Sequence, residues 1–385
     1  MRLMNIGIII FAYNRSIHLE HVLNGLRKND GISKLYIFQD GLKCEQHQNG
    51  WESTRHIIMN IDWCEVVYRL SSYNKGLAKS IVDGVNAVFK ENDAVIVLED
   101  DCVPTANFIS FMKKCFEKYQ NNEKVYSISG YAWPIDLPKN EYDVYGCGRV
   151  SSWGWGTWKD RWQKYSQDYE IIKRINSNKD LSANLALWGR DLESMLINRQ
   201  KGMNDSWAVF WALTIIEAEG ICISPYKSLI RNIGMDGSGV HCGITHKFDV
   251  ELYEDSYDTF CLPEKIVIEN ASKYAFAPLY GSYTVCADEK AGENTPAIVC
   301  GAGNCFFRHE KSICEEYNII AFMDRNKKGW FAGREVIGYQ DVNRSTYARA
   351  KILIMIQDIF ERQKVINLLI KNGMVTEDRI ILCDD

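Results

Sequence analysis

Residues 93–112 read DAVIVLEDDCVPTANFISFM. Five apolar residues, Ala94 to Leu98, run unbroken into three carboxylates, Glu99, Asp100 and Asp101. Such a run is the pattern of a strand covered on both faces, as in a parallel sheet packed between helices. Beyond Pro104, Thr105 is placed to cap a helix. The stripe of that helix is Phe108, Phe111, Met112, Cys115, Phe116 and Tyr119, the spacing of one helical face. A strand and a helix account for everything here except the acids. Adjacent like charges repel one another and add nothing to a strand end.

Upstream the same alternation repeats. NIGIIIFAY reads as a strand, IHLEHVLNGLRK as a helix, and KLYIFQDG and EVVYRL as further strands. Ile81, Val82, Val85, Val88 and Phe89 fall on one helical face before the quoted strand. Strands alternating with helices predict the α/β class with a doubly wound, mostly parallel sheet. Such sheets bind ligands beyond the carboxyl ends of their strands. Tyr13, Arg15, Asp40 and Glu99–Asp101 all fall at such ends, so the acids are expected to face a cleft.

Downstream the texture changes. Eight of the eleven tryptophans lie between residues 131 and 211, many within SSWGWGTWKDRW. A second β/α pattern follows the polar stretch ADEKAGENTP: AIVCGAG, then NIIAFMDRN, then AKILIMI. The expected division is a first domain over 1–286, a linker near 287–296, and a smaller Rossmann-like domain over 297–385. A chain of 385 residues has the length for two such cores.

Composition narrows the class. The chain is 46% apolar and 25% charged with a formal net charge of −5, which is that of a globular protein. No Lys/Arg block marks a nucleic-acid partner. The N-terminal apolar run is short and ends at Asn14-Arg15, unlike a signal peptide. Nowhere do about 18 apolar residues run together, so no transmembrane helix is expected. Thirteen cysteines without a CxxC pair suit free thiols in a reducing cytoplasm. The expected location is cytoplasmic, with peripheral contact at the inner face of the membrane allowed.

Glu99-Asp100-Asp101 supplies hard oxygen donors of the kind that bind Mg²⁺ or Mn²⁺ together with substrate phosphate and water. A solvated acidic turn is the plain alternative. Arg15 suits phosphate or a base, and Asp40 a base N–H or a ribose hydroxyl. For Asp40, ordinary Asp-Gly turn chemistry competes. Lys75 and Gly76 open a helix whose backbone N–H groups suit a diphosphate, or form a simple loop-to-helix junction. Trp155 and Trp158, among glycines, suit either a sugar-stacking wall for the acceptor or a core. Gly301 and Gly303 follow a strand, with Asp324 ending the next, a partial dinucleotide fingerprint in which Phe306 replaces the third glycine.

FAYNR, FQDG, YNKGLAKSIVDGVN and VLEDDCVPTANFISFM, in that order, resemble the GT-A glycosyltransferase fold. More closely they resemble the N-acetylglucosaminyltransferase I-like group and its bacterial relatives. The resemblance continues through GWGTWKDRW and NDSWAVFWALTIIEAEGICISPYKSLIRNIGMDGSGVHC and covers about the first 250 residues. It implies a UDP-sugar donor, a glycan or lipid-linked glycan acceptor, and Mn²⁺ or Mg²⁺ on Asp101. Glu99 and Asp100 would face the ribose and sugar, with Tyr13, Arg15 and Asp40 on the nucleotide. His241 corresponds to a terminal metal ligand of some GT-A enzymes. Asp205 matches the catalytic base of inverting members, although Ser206 stands where a second acid is common. Asp205 also suits the cap of a helix over Ser206–Ile216. The C-terminal segment resembles small Rossmann-like domains of bacterial surface-polysaccharide enzymes. Two other classes compete: a nucleotide-sugar-binding or scaffold protein without turnover, and a nucleotidyltransferase. The latter would carry a Gly-rich, basic first loop that FAYNRS lacks.

Overall fold

The computed structural model describes residues 4–238, 244–254, 259–286 and 294–383. These form two compact units: residues 1–169 with 194–272, and residues 170–193 with 273–385. The fold is mixed α/β, with a large, mostly parallel sheet in the first unit and a smaller parallel sheet in the second.

The first unit opens with β1 (Ile6–Ala12), α1 (Ser16–Arg27), β2 (Lys34–Gln39), α2 (Gln48–Met59), β3 (Glu65–Leu70), α3 (Leu77–Val88) and β4 (Ala94–Glu99). Then come β5 (Cys102–Pro104), α4 (Phe108–Tyr119), β6 (Val125–Ser129), β7 (Val144–Cys147), β8 (Trp155–Trp158) and α5 (Lys159–Trp162). The chain continues through α6 (Ile171–Asn176) and α7 (Lys179–Gly189) of the second unit, and returns by α8 (Leu192–Gln200), α9 (Ala208–Glu217), β9 (Ile221–Pro225) and β10 (Ile230–Asn232).

Eight strands form the large sheet in the order β3-β2-β1-β4-β8-β6-β9-β7. β8 and β7 run antiparallel to their neighbours, and the remaining pairs are parallel. β4 is buried from Ala94 to Leu98, as its sequence requires. Both β1 and β4 are core strands, and the strand order reverses between them. In a doubly wound sheet that reversal opens a crevice at the carboxyl ends.

All six residues of the predicted stripe on α4 are buried. The cap is a correction. α4 begins at Phe108 with Asn107 at its cap position, which makes no side-chain cap bond. Thr105 instead donates its N–H to the Leu229 carbonyl (2.9 Å) as β5 pairs with β10, and its hydroxyl is buried without a partner. The buried Asn29, just beyond α1, does the capping: its side-chain oxygen accepts the Ile109 N–H (2.9 Å) while its amide donates to the Thr105 carbonyl.

The second unit adds α10 (Asn270–Phe276), α11 (Tyr283–Cys286), β11 (Thr295–Cys300), α12 (Asn304–Glu316), β12 (Tyr317–Met323), β13 (Gly329–Phe331), β14 (Arg334–Ile337), β15 (Lys351–Ile354), α13 (Ile359–Lys371) and β16 (Ile380–Leu382). Its sheet runs β13-β14-β12-β11-β15-β16, parallel except for the β13–β14 hairpin. The fully buried Glu310 on α12 accepts from Thr284 N (2.9 Å), Thr284 Oγ1 (2.8 Å) and the Ser282 hydroxyl, and pairs with Arg190 (3.2 Å). This joins α12 to the segments that flank it. No helix among the described residues is long and apolar enough to cross a membrane.

Candidate active site

β1 and β4 end side by side, with Phe11 opposite Glu99 in the register. The residues that follow each strand meet at the reversal of strand order. Arg15 sends one nitrogen to Asp100 and to Asp101, the second pair at 2.8 Å. Asp100 also accepts the Tyr13 N–H (3.2 Å). Burial opposes the guanidinium charge, but Asp100 and Asp101 outweigh it and hold Arg15 above its usual pKa. Burial pushes the Asp100 carboxyl upward, with Arg15 acting against it.

Glu99 differs from its neighbours. Its half-buried carboxyl makes no hydrogen bond or ion pair with a described residue. Burial first, then the charges of Asp101 and Asp100, push it up to about 8, with Arg15 opposing. A partly desolvated carboxylate beside two other acids is a group that a cation would stabilise. These residues therefore fit Mg²⁺ or Mn²⁺ bound through one or two protein carboxylates, with the remaining shell from substrate and water. They do not form a cage: among the described residues no three His, Cys, Asp or Glu side chains are grouped to hold a metal. His241 lies outside the described residues.

Asp40 follows β2 and is committed to the backbone. Its carboxylate accepts the N–H groups of Gly41 (2.9 Å), Lys75 (2.9 Å) and Gly76 (2.9 Å). The two N–H groups expected to approach a diphosphate are thus taken by an acid of the chain itself. The Lys75 ammonium lies 3.6 Å from Asp83. Since β2 and β4 flank β1, the ends carrying Asp40 and Asp101 are about 10 Å apart across the sheet.

Asp205 reaches the same loop from the far end of the sequence. One oxygen accepts the Ala78 N–H (3.1 Å) in the first turn of α3, and the other pairs with Arg199 (2.9 Å). The alternative reading of Asp205 as cap of the helix over Ser206–Ile216 is corrected on one point: it caps α3, not its own helix. α9 begins at Ala208, and Ser206 Oγ accepts the Val209 N–H there (3.3 Å). The Asp205 side chain remains 36% exposed, and each carboxylate oxygen keeps a second lone pair.

Trp155 and Trp158 lie in the core. Trp155 stacks on Trp207 at 4.8 Å and packs near Trp162, while Trp158 meets Phe116 edge-on. Their faces are covered by aromatic neighbours, so the core alternative describes them as they stand. In the second unit Gly301 and Gly303 follow β11, and Gly301 lies beside Met355 just beyond β15. Asp324 accepts the N–H groups of Asn326 (2.8 Å) and Lys327 (3.1 Å) in a local turn.

Two contacts had no signal in the sequence. Arg199 pairs with Asp205 from α8, and Gly234 lies so close to Asp101 that a Cβ there would fall 2.2 Å from its Oδ2. A lone arginine and a glycine in a glycine-rich loop mark nothing until the fold brings them to the acids.

No family model and no curated protein matches the chain. Among solved structures it is similar to residues 1–349 of S. aureus TarS, at 12% identity over 59% of this chain and 60% of that one (TM-score 0.31). It is similar to the mannosyltransferase PcManGT from Pyrobaculum calidifontis in complex with GDP-Man and Mn²⁺, at 9% identity over 57% and 74% (TM-score 0.32). It is also similar to GalNAc-T7 with UDP, GalNAc and Mn²⁺, at 10% identity over 62% and 46% (TM-score 0.36). The chain spans only 24% of a longer S. aureus TarS structure. At these identities and TM-scores a functional reading rests on the chain's own residues.

Proposed function

We propose that this chain is an inverting, metal-dependent glycosyltransferase of the GT-A type. It would move a sugar from a UDP-sugar to a hydroxyl of a glycan or lipid-linked glycan in surface-polysaccharide synthesis, with N-acetylglucosamine the first donor to test. One observation carries this reading. At the reversal of strand order, Glu99, without a partner among the described residues, stands beside two acids that share a single arginine. Surplus negative charge at a ligand crevice is what a cation-bound diphosphate requires.

In this reading Asp101, with His241 as a further candidate, would hold Mn²⁺ or Mg²⁺, which would supply positive charge to offset that of a diphosphate leaving group. The remaining work falls to the chain. Asp100 fixes Arg15, and the pair orients the nucleotide side of the donor together with Tyr13. Asp40 holds Lys75 and Gly76 in place, shaping the loop that borders the donor. The acceptor oxygen bonds to the anomeric carbon, the bond from that carbon to the diphosphate oxygen breaks, and the hydroxyl proton passes to Asp205. Arg199 and the Ala78 N–H keep that carboxylate aimed. The second unit would act as a docking or nucleotide-binding module around Gly301, Gly303 and Asp324, and the enzyme would work in the cytoplasm at the inner membrane face.

A nucleotide-sugar-binding protein without turnover is the second reading. It is favoured by the Arg15 guanidinium already sitting on Asp100 and Asp101, where a cation would otherwise be needed. Release of UDP from a panel of UDP-sugars, with Mn²⁺ and then with EDTA, separates the two. Transfer predicts EDTA-sensitive release that falls by orders of magnitude in Asp101→Asn. Thermal protection by a UDP-sugar without any release would overturn transfer and leave binding.

A further inference from the structure

The Asp101 carboxylate is met by three groups of the chain. Oδ1 turns to the thiol of the fully buried Cys102, which donates to it at 3.4 Å. Oδ2 has Gly234 on one side, so close that an added Cβ would fall 2.2 Å away. The Ile233 N–H donates to the Asp101 backbone carbonyl (2.9 Å), which fixes that glycine in place. Arg15 takes the other side, with one nitrogen shared between Asp101 Oδ2 (2.8 Å) and Asp100 Oδ1.

These neighbours differ in how easily they give way. Cys102 belongs to the core. Gly234 presents backbone, pinned through Ile233 and through its own N–H on the Asn232 side chain (2.8 Å). The Arg15 side chain is long and is the most exposed of its ion cluster, at 20% against 14% for Asp101 and 5% for Asp100. It also has a second acid to hold. Mg²⁺ sits about 2.1 Å from a carboxylate oxygen, so with Arg15 at 2.8 Å on the same oxygen the two charges would be at most about 5 Å apart. Like charges that close repel strongly in a poorly hydrated site. A cation and the guanidinium therefore exclude each other from Oδ2, and Arg15 can leave it while keeping Asp100.

We propose that Arg15 is a built-in competitor for the divalent cation at Asp101. Cation binding transfers the guanidinium to Asp100 alone, and this exchange sets the cation affinity of the site. The proposal rests on the metal-dependent reading, and its test needs no turnover. Mn²⁺ binding to the full chain is read from the loss of the free-ion electron paramagnetic resonance signal. Arg15→Gln should lower the Mn²⁺ dissociation constant at least about tenfold, and Arg15→Lys, which keeps the charge, by less. Lys75→Gln removes one positive charge at the same sheet edge, from a side chain that lies 3.6 Å from Asp83. It should change that constant less than about threefold, because screening weakens charges that do not touch the site. Wild-type protein carrying isotope-labelled arginine covers the case in which Arg15→Gln does not fold. Its Arg15 Nε–H resonance, assigned by its absence in Arg15→Lys, should move saturably with diamagnetic Mg²⁺ in amounts that displace bound Mn²⁺. The same resonance should stay unmoved in Asp101→Asn. Equal Mn²⁺ affinity in wild type and Arg15→Gln, equal tightening by Lys75→Gln, or a wild-type Arg15 resonance that Mg²⁺ does not move overturns the exchange and leaves the metal site standing. No Mn²⁺ bound by wild type or by any variant would sink the metal-dependent reading as well.

Discussion

Gly234→Ala tests the geometry of the acid cluster without changing a charge. The added Cβ would fall 2.2 Å from Asp101 Oδ2, 2.9 Å from its Cγ and 3.0 Å from Arg15 Nη1. Ordinary contact begins near 3.4 Å, so the carboxylate must retreat by about 1.2 Å. The obstacle is a side chain, so the backbone stays and Asp101 swings away. Its 2.8 Å bond to Arg15 then opens to about 4 Å, the limit of an ion pair. Arg15 keeps Asp100, so the loss is one charge-assisted hydrogen bond in a largely buried site, about 1.5–3 kcal/mol. Urea unfolding followed by near-ultraviolet circular dichroism of the indoles Trp155, Trp162, Trp207 and Trp211 reads the first unit, where all four pack together. Gly303→Ala, where a Cβ meets nothing within 4 Å, is the control and should cost less than about 0.5 kcal/mol. If Gly234→Ala is no worse than that control, Asp101 is not held where the geometry puts it.

Other outcomes follow from single contacts. Asp205→Asn should keep UDP-sugar binding and lower transfer by about 10²–10⁴-fold; a loss under tenfold per folded molecule, with a stability drop of about 1 kcal/mol, would make Asp205 only the cap of α3. Glu310→Ala strands Arg190 and removes the acceptor for Ser282 and Thr284, so the second unit should lose about 3–5 kcal/mol. A loss below about 1 kcal/mol there, in urea unfolding followed by hydrogen exchange of the second sheet, would refute that role. Thiol labelling of the native protein should proceed early at the exposed Cys44, so Cys44→Ser removes one equivalent from the fast phase. Cys147→Ser should leave that phase unchanged, because burial pushes its thiol up to about 12 and the thiolate is the reactive form. Equal fast phases in wild type and Cys44→Ser would contradict this.

What the sequence disclosed was local. The run Ala94–Leu98 announces a covered strand because every one of its side chains must be buried, and the stripe on α4 follows from spacing alone. The clustering of Tyr13, Arg15 and the three acids was legible because parallel strands deliver their carboxyl ends to one edge. Capping was not legible, because two helices take their N-terminal partners from far away: Asn29 serves α4, and Asp205 serves α3 across 127 positions. Asp40 reads as a ligand contact in FQDG, but its three N–H donors include two from a loop 35 and 36 residues on. Helices α6 and α7 carry an apolar side that fits any sheet, and nothing local assigns them to the second unit. The indoles of Trp155 and Trp158 look the same in sequence whether they line a wall or fill a core.

The carboxylates that tie down the loop before α3 also set how the edge responds to dissolved ions. Asp40, Asp100, Asp101 and Asp205 stand there against Arg15, Lys75 and Arg199, with Glu99 a further acid once ionised. Anion-binding sites built from lysines weaken as salt is added, because screening removes attraction. Here the excess is of the opposite sign, and the backbone N–H groups that usually draw phosphate are already taken. In the absence of divalent cations, a nucleoside diphosphate approaching this edge meets net repulsion over a Debye length of about 8–10 Å. Its affinity should therefore rise, not fall, with ionic strength.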